Sequence, residues 1–242
     1  HPLACCRAIG ASELLETICA TAGGAAWETT YGPRLGPDPE DIPENARYIL
    51  LWGINSLSTN SHLTPFLKEA RRRGAKVVHI DPYENLTSRF ADLHLKLRPG
   101  TDAALAYALA HVLFREGLLD WEYLGRVAVG LEEFQKEAEK WTPDRASALT
   151  GVPEEAILRL ARELGEARRV FPRVGYGMTR HPRGGHALRS VVLPPALLGA
   201  WRYPGCGAML STSGAFPLNK RFLGGRHLLE GGHPHQGYFR PN

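Results

Sequence analysis

The stretch RYILLWGINSLSTNSHL, residues 47–63, decides the fold class of this chain. Its first five residues are mostly apolar, which is typical of a strand buried on both faces of a parallel sheet. Gly53 and several small hydroxyl residues follow, and the pattern over 63–73 predicts an amphipathic helix. A second buried strand, KVVHI at 76–80, ends in Asp81. Strands that alternate with helices predict an α/β fold with a mostly parallel, Rossmann-like sheet and helices on both faces.

The remaining periodic segments extend this alternation. Residues 8–18 are predicted to form a helix that ends in the small-residue stretch CATAGGAAW, which we interpret as a Gly-rich loop. Further strands are predicted at 94–97 and within RVFPRVGYGM, residues 169–178. The other predicted helices are a short turn at 40–46 and longer helices at 102–117, 131–141, 153–167 and 186–201. Pro194 and Pro195 are expected to kink or interrupt the last of these.

Composition excludes several classes of protein. The chain has 242 residues, of which 43% are hydrophobic and 22% charged, as is usual for a soluble globular protein. No apolar run approaches the roughly 20 residues that cross a bilayer, so no membrane span is predicted. The net charge is +4, and the basic run ARRRGAK has no aromatic or nucleic-acid motif beside it, so no nucleic-acid partner is predicted. A mild basic excess suits an anionic ligand, and the Arg-rich, Met-poor composition is typical of a thermophile or a GC-rich genome.

The four cysteines form no CxxC pair, which excludes the usual zinc-ribbon and cubane iron–sulfur spacings. So few cysteines in a chain of this length also argue against a disulfide scaffold, so a reducing cytoplasm is the simpler expectation. A signal upstream of His1 would change that expectation to the periplasm. Histidines near the C-terminus lie among glycines and prolines and predict an unstructured end rather than a metal site; they are His227, His233 and His235.

Loops at the predicted strand ends carry side chains suited to an anionic ligand, because ligands of parallel α/β folds bind at the carboxyl ends of the strands. Gly53 allows close approach of the backbone, and Asn55 and Ser56 can bind phosphate or sugar oxygens. Asp81 either holds a ribose diol or forms a turn before a proline. Asp102 either caps its helix or accepts hydrogen bonds from the N1–H and exocyclic amine of a guanine.

Two further features have both a functional and a structural interpretation. The loop GYGMTRHPRGG, residues 175–185, offers Arg180, His181 and Arg183 to a second anion, or else is a solvated turn. Cys19 is either a small buried hydrophobic residue or a thiolate ligand for a soft transition metal.

Five stretches together resemble the molybdopterin oxidoreductases, the group of dimethyl sulfoxide reductase, periplasmic nitrate reductase and formate dehydrogenase. In chain order they are ICATAGGAAW, LLWGINSLSTNSHLTPFLKEARRRGAKVVHIDP, SRFADLHLKLRPGTDAALAYALAHVLFREGLLD, LTGVPEEAI and VGYGMTRHPRGGHALRSVVLPPALLGAWRYPG. The resemblance runs from about residue 8 to 217. It implies a central domain that binds one molybdopterin guanine dinucleotide, over residues 1–217, followed by an unrelated or disordered tail at 218–242.

The resemblance implies a role for each loop. Cys19 matches the position whose Cys or selenocysteine ligates molybdenum or tungsten, and Asp81 would bind the ribose. The other residues fall into three groups, which are Gly53, Asn55 and Ser56 at the pyrophosphate, Gly100, Thr101 and Asp102 at the guanine, and Gly175, Gly177, Met178 and Arg180 facing the pterin.

The chain also departs from the family pattern. Formate dehydrogenases carry a His after the metal ligand, where this chain has Ala20, and an Arg in the loop matching 211–214, so formate is not the expected substrate. The resemblance implies three parts that lie outside this sequence. They are a domain for a 4Fe–4S cluster, the second half of the cofactor site and a C-terminal domain. The expected partners are therefore those domains, or an iron–sulfur electron-transfer subunit.

Three hypotheses follow. The chain is a fragment of a molybdenum or tungsten oxidoreductase for two-electron redox or oxygen- or sulfur-atom transfer, inactive alone. Alternatively, it is a catalytically inactive truncated domain or nucleotide-binding module. A third possibility, an ordinary Rossmann-like nucleotide or sugar-phosphate enzyme, is weakened by the absence of GxGxxG and P-loop motifs.

Overall fold

The sheet has four strands, all parallel, in the order β3-β2-β1-β4. The structure is a computed structural model, and it describes residues 5, 6, 9 and 18–212. The strands are β1 (Tyr48–Trp52), β2 (Lys76–Ile80), β3 (Leu93–Leu95) and β4 (Val170–Val174). The α/β class and the parallel sheet predicted from the sequence are therefore confirmed.

The strand order places a topological switch point between β1 and β4. Tyr48 lies opposite Lys76 on one side and Val170 on the other, so β1 is central. The chain moves from β1 outward through β2 to β3, and then returns to the other side of β1. At such a point neighbouring loops leave the sheet in opposite directions and open a crevice at its carboxyl edge, where ligands bind.

Eleven α-helices lie within residues 18–212. They are α1 (Ile18–Tyr31), α2 (Ile42–Asn45), α3 (Ser56–Thr59), α4 (Thr64–Arg72), α5 (Leu86–Phe90), α6 (Asp102–Arg115), α7 (Trp121–Val127), α8 (Leu131–Glu139), α9 (Pro143–Thr150), α10 (Glu154–Ala167) and α11 (Gly184–Leu197). Short 3₁₀ turns lie at Pro39–Asp41, Met178–Arg180 and Ala200–Arg202. No helix in this part of the chain is both long and apolar enough to cross a membrane.

Each face of the sheet packs against its own apolar cluster, because side chains alternate between faces along a strand. Leu50 and Trp52 belong to the larger cluster, which includes residues of α6, α10 and α11. Ile49 and Leu51 belong to the smaller one, with residues of α2 and α4. Strand β1 is buried on both sides, as the apolar run after Arg47 predicts.

The stretch CATAGGAAW is helical, and its interpretation as a Gly-rich loop is wrong. It forms most of α1, whose glycines permit close packing rather than a turn. A Cβ placed on Gly23 would lie 2.9 Å from the Tyr176 ring, and one on Gly185 would lie 3.2 Å from the carbonyl of Ala22. Most of the helix predicted over 8–18 lies outside the described residues.

Three smaller differences separate the structure from the sequence expectation. Strand β3 covers Leu93–Leu95 rather than 94–97. Helix α11 continues through Pro194 and Pro195 to Leu197, with both prolines buried; each proline removes one N–H donor from the last turn, but the helix is not interrupted there. Helices α7 and α9 have no counterpart among the predicted elements, and α3 lies within the stretch predicted as a loop before residue 63.

Candidate functional site

The loops after β1 and β4 are in direct contact at the switch point. The Gly175 N–H donates to the carbonyl of Trp52 at 2.9 Å, and a Cβ placed on Gly175 would collide with the Gly53 backbone. Gly53 has a φ of +61°, which glycine adopts without strain. Only glycine at 175 therefore permits this approach, and the two predicted loops are brought together at one edge of the sheet.

The predicted phosphate loop is braced by neighbouring side chains. Asn55 accepts a hydrogen bond at Oδ1 from the Thr87 hydroxyl at 2.8 Å, so its amide oxygen already has a protein partner. Ser56, at the start of α3, is fully buried, and its Oγ has no hydrogen-bond partner among the described residues. Buried hydroxyls are normally paired, so the enclosed and unpaired Ser56 hydroxyl is an exception at this strand end.

His79 holds the same loop from the neighbouring strand. Its Nδ1 lies 2.9 Å from the Ser88 hydroxyl, and its Nε2 lies 3.2 Å from the carbonyl of Ile54. The ring is buried and stacks on His94, with 5.1 Å between ring centroids. Burial lowers the pKa of His79, so a neutral imidazole fixes the position of the loop after β1.

Asp102 is a buried carboxylate at the carboxyl edge. Its Oδ1 accepts a hydrogen bond from the Trp52 indole Nε1 at 2.8 Å. Burial raises the pKa of this carboxyl, and the indole donor offsets that effect only in part. The helix-cap interpretation is wrong, because Thr101 is the N-cap residue and Asp102 is the first residue of α6.

The residues before Asp102 form a tight turn that lies beside the His181 ring. Thr101 donates from its hydroxyl to the carbonyl of Arg98 at 2.6 Å. Gly100 has a φ of +79°, and a Cβ there would lie 3.4 Å from the His181 ring. The turn after β3 is thereby placed beside the loop after β4.

Asp81 forms the turn that is one of its two predicted roles. Its Oδ1 accepts from the Tyr83 N–H at 2.8 Å, so the carboxylate does stabilise a turn. Its Oδ2 lies 3.9 Å from Nε2 of His79. One carboxylate oxygen therefore remains for a ligand at the end of β2.

The loop after β4 presents both buried and exposed groups. Met178 is buried, and its Cε would lie 3.4 Å from a Cβ on Gly53. Gly177 and Arg180 are exposed. Arg183 adopts a left-handed conformation with a φ of 60° just before α11. Thus Met178 packs under the loop, while Arg180 is free to contact an anion.

Cys19 lies on α1 with a half-buried side chain. Helix α1 packs against the 3₁₀ turn Met178–Arg180 and against α11, which brings its beginning to the same side of the molecule as the loop after β4. Within the described ranges, no three His, Cys, Asp or Glu side chains gather into a metal site. The C-terminal histidines lie outside those ranges.

Several residues of this edge are absent from the sequence-based prediction. They are Trp52, His79, Thr87 and Arg173. Trp52 ends β1 directly before Gly53, and tryptophan is common in strands, so the sequence gives no signal of its contact with Asp102. The other three are recognised only through contacts across the sheet, which sequence spacing does not reveal.

Comparisons with known proteins place these features in a family. The model of the family described as Molybdopterin oxidoreductase matches residues 20–220. The chain is similar to a probable oxidoreductase, YoaE, of Bacillus subtilis, with 39% identity over 93% of this chain and 33% of the relative. It is also similar to the dimethyl sulfoxide reductase DmsA of Escherichia coli, with 34% identity over 70% of this chain and 24% of the relative.

A solved structure has the same fold. Acetylene hydratase from Pelobacter acetylenicus superposes with a TM-score of 0.66 and 24% identity, over 76% of this chain and 24% of that chain. The chain spans about a third or less of the length of these relatives. The match to the family model begins one residue after Cys19.

Proposed function

The chain belongs to the molybdopterin oxidoreductase family, and we propose that it binds one molybdopterin guanine dinucleotide along the carboxyl edge of its sheet. The observation that carries the proposal is the buried Asp102 carboxylate, held by the Trp52 indole beside the contact of Gly53 with Gly175. A negatively charged acceptor in that position suits a guanine, whose N1–H and exocyclic amine are adjacent donors. The loops next to it suit phosphate.

The guanine would be recognised by Asp102 in its ionised form. A carboxylate oxygen has more than one lone pair, so Oδ1 can accept from Trp52 and still accept from a base, while Oδ2 accepts a second hydrogen bond. Because burial disfavours the charged carboxylate, a ligand that donates two hydrogen bonds repays part of the desolvation energy. Adenine lacks this pair of donors. We therefore propose Gly100, Thr101 and Asp102 as the guanine-specific turn.

The pyrophosphate would lie over the glycine contact at the switch point. The close approach of Gly53 and Gly175 leaves no side chain there, and the buried hydroxyl of Ser56 has no partner among the described residues. Those two features fit a phosphate group, which needs space and hydrogen-bond donors. Asn55 would assist from its amide nitrogen, because its oxygen is already bonded to Thr87.

The remaining proposed contacts surround this centre. Asp81 would bind the ribose through Oδ2, the oxygen that does not stabilise the turn. Gly177, Met178 and Arg180 would face the pterin, with the exposed Arg180 supplying positive charge. Arginine suits this role because its guanidinium stays charged and forms planar, paired hydrogen bonds.

We propose Cys19 as the protein ligand to molybdenum or tungsten. When bound, the metal–pterin group supplies two-electron redox chemistry or the transfer of an oxygen or sulfur atom. A thiolate is the soft ligand that such a metal accepts, and Cys19 lies half-buried on the side of the β4 loop. Substrate, the 4Fe–4S cluster and electron-transfer partners are proposed for other domains or subunits of the whole protein, and this domain is proposed to be inactive alone.

Metal and pterin content of the purified chain is the first test of this proposal. About one equivalent of pterin with molybdenum or tungsten supports cofactor binding by this domain. A folded chain without either supports the alternative of a nucleotide-binding module whose metal site needs further domains.

A guanine-specific test uses the same chain without the cofactor. GDP and ADP are titrated calorimetrically and by the NMR signal of the Trp52 indole N–H, which donates to Asp102. We expect GDP to bind more tightly than ADP, and Asp102→Asn to weaken GDP about 10- to 100-fold, the loss expected for a charge-assisted hydrogen bond. Asp120→Asn, another buried aspartate away from this edge, is the matched control and should leave the affinity unchanged. Equal affinity for GDP and ADP would contradict the proposal.

A further inference from the structure

Arg173 is a half-buried cation at the carboxyl edge that the proposed dinucleotide site does not use. It lies on β4 opposite Leu51, on the face of the sheet that carries the smaller apolar cluster. It lines a cavity of 380 Å³ between the end of β4, the segment before α4 and residues 209–212. Asp102 and Trp52 lie on the other face of the sheet, so this cavity is separate from the guanine turn.

The Arg173 guanidinium is only partly satisfied by the protein. Nη1 donates to the carbonyls of Val174 at 2.5 Å, Leu210 at 2.6 Å and Met209 at 3.4 Å. Nε is buried and has no partner within the described residues, and Nη2 makes no hydrogen bond to them. The Nε and Nη2 hydrogens point the same way along one edge of the guanidinium, and that edge is the one that binds oxyanions in a paired fashion.

The charge of Arg173 is also uncompensated. Over residues 18–212 no carboxylate lies within ion-pair distance of it, whereas the buried Asp120 pairs with Arg202 at 3.0 Å. Burial lowers the pKa of Arg173 to about 10. A half-buried cation with only neutral dipoles around it is unfavourable for folding and is stabilised by any anion that reaches it.

The cavity has the lining expected for an anion. The described residues around it include no Asp or Glu, and the polar ones besides Arg173 are Asn60, His62, Tyr176, Ser211 and Thr212. These are mainly hydrogen-bond donors or groups that can act as donors. A volume of 380 Å³ lies within the range of roughly 300–1,000 Å³ that is typical of small-ligand sites.

We propose that this cavity binds an oxyanion at the Arg173 guanidinium, with Nη2 as the donor that the described protein leaves unused and a shift of the side chain bringing the enclosed Nε to the same ligand. The class includes sulfate, nitrate, phosphate and small carboxylates, all of which present two oxygens at the spacing of the Nε and Nη2 edge. Two sources supply such a group, a free oxyanion or the phosphate of a bound nucleotide. Both have the same chemistry at Arg173.

The test follows the Arg173 Nε–H resonance by NMR in the complete 242-residue chain. Sulfate and nitrate are titrated at constant ionic strength, with chloride as the balancing ion. We expect a saturable shift at Arg173 and no comparable shift at Arg71, whose Nε already donates to Asp92 at 3.0 Å. An Arg173 resonance that moves no more than that of Arg71 would overturn the proposal.

A second titration in saturating GDP distinguishes the two sources. If sulfate still shifts Arg173, the cavity is a separate site for a free oxyanion. If GDP alone shifts Arg173 and prevents the sulfate effect, the bound group is the nucleotide phosphate. The Trp52 indole resonance reports the guanine turn in the same spectrum, so a failure at Arg173 with a response at Trp52 overturns this proposal alone.

Arg173→Lys supplies an independent check, because it keeps the positive charge but removes the planar edge. We expect at least a 10-fold loss of sulfate affinity, with Arg71→Lys as the control that leaves it unchanged. An Arg173→Lys protein that is folded and binds sulfate normally would contradict the proposal. If this variant does not fold, the wild-type titration still decides the question, since it depends on no substitution.

Discussion

The two ends of helix α6 hold buried aspartates in contrasting environments. Asp102 begins the helix at the carboxyl edge of the sheet, and its side-chain partner is the neutral Trp52 indole. Asp120 lies just beyond the other end, where it caps α7 by accepting from the Tyr123 N–H at 3.0 Å and pairs with Arg202 at 3.0 Å. Burial raises the pKa of Asp102, whereas the Tyr123 hydrogen bond and then Arg202 lower that of Asp120.

The arginines show the same contrast. Arg202 lies near two acids, Asp120 and Glu122, while Arg173 has only carbonyl oxygens as partners in the described chain. Asp120 and Arg202 thus pair with each other, whereas Asp102 and Arg173 at the edge are held by neutral dipoles. An opposite charge or strong donor on a ligand would stabilise them, and such a ligand would stabilise the folded chain by mass action.

The largest expected effect is steric and tests how closely the edge loops approach. Gly175→Ala should lower the free energy of unfolding by about 3 kcal/mol, because the new Cβ collides with the Gly53 backbone. Gly125→Ala is the control in the helical region, since Gly125 is exposed within α7 with open space around it. That change should raise stability by about 0.5–1 kcal/mol. Urea unfolding followed by circular dichroism measures both, and a tolerated Gly175→Ala would show that the loops do not touch.

Replacing each aspartate by asparagine should show which of the two stabilises the fold and which is kept for ligand binding. At pH 7, Asp120→Asn should lower the free energy of unfolding by about 0.5–1 kcal/mol through loss of its pairing with Arg202. Asp102→Asn should leave stability unchanged or raise it, because the amide oxygen still accepts from Trp52 and no buried charge remains. Urea unfolding of the two variants and the wild type measures both changes in stability. A larger loss for Asp102→Asn than for Asp120→Asn would mean that Asp102 is a structural charge.

The contributions of Asp102 and Asp120 to folding stability should change with pH in opposite directions. Asp102 has a raised pKa, so its contribution to stability is full below the ordinary value of 3.8 and is lost as pH rises through the raised pKa. Asp120 has a lowered pKa, so its contribution is present above 3.8 and is lost as pH falls through the lowered pKa. Any advantage of Asp102→Asn over wild type and any deficit of Asp120→Asn should therefore both shrink between pH 7 and pH 3. Thermal unfolding across that range measures the trend, and a constant difference at either site would contradict the assignment.

The smallest expected effect on the isolated chain is that of Cys19→Ser. The side chain is half-buried, and a change of sulfur to oxygen there should alter stability by less than about 0.5 kcal/mol. GDP affinity should also be unchanged, because the guanine turn lies on other elements. In the full-length protein the same change should abolish retention of molybdenum or tungsten, measured by elemental analysis. Unchanged metal content would exclude Cys19 as the ligand.

The sequence predicts the sheet because its strands are buried on both faces. The apolar runs after Arg47 and Gly74 correspond to β1 and β2 within one residue, since a parallel strand between two helical layers has little room for polar side chains. Prediction was weaker where small residues serve packing. The glycines of CATAGGAAW suggest a loop by composition, and only the neighbouring Tyr176 and α11 explain why a helix there needs them.

The sequence by itself determined the parallel sheet, the loops at its strand ends and the chemical types of side chain that those loops carry. It also determined the family, since the ordered motifs extend over most of the chain and the family match confirms them. Only the tertiary structure decided which groups are buried, which donors reach them and which charges lack a partner. Those properties depend on contacts such as Trp52 with Asp102 and Arg173 with the carbonyls of 209–210. They arise between segments 36 to 50 residues apart, so local sequence patterns carry little information about them.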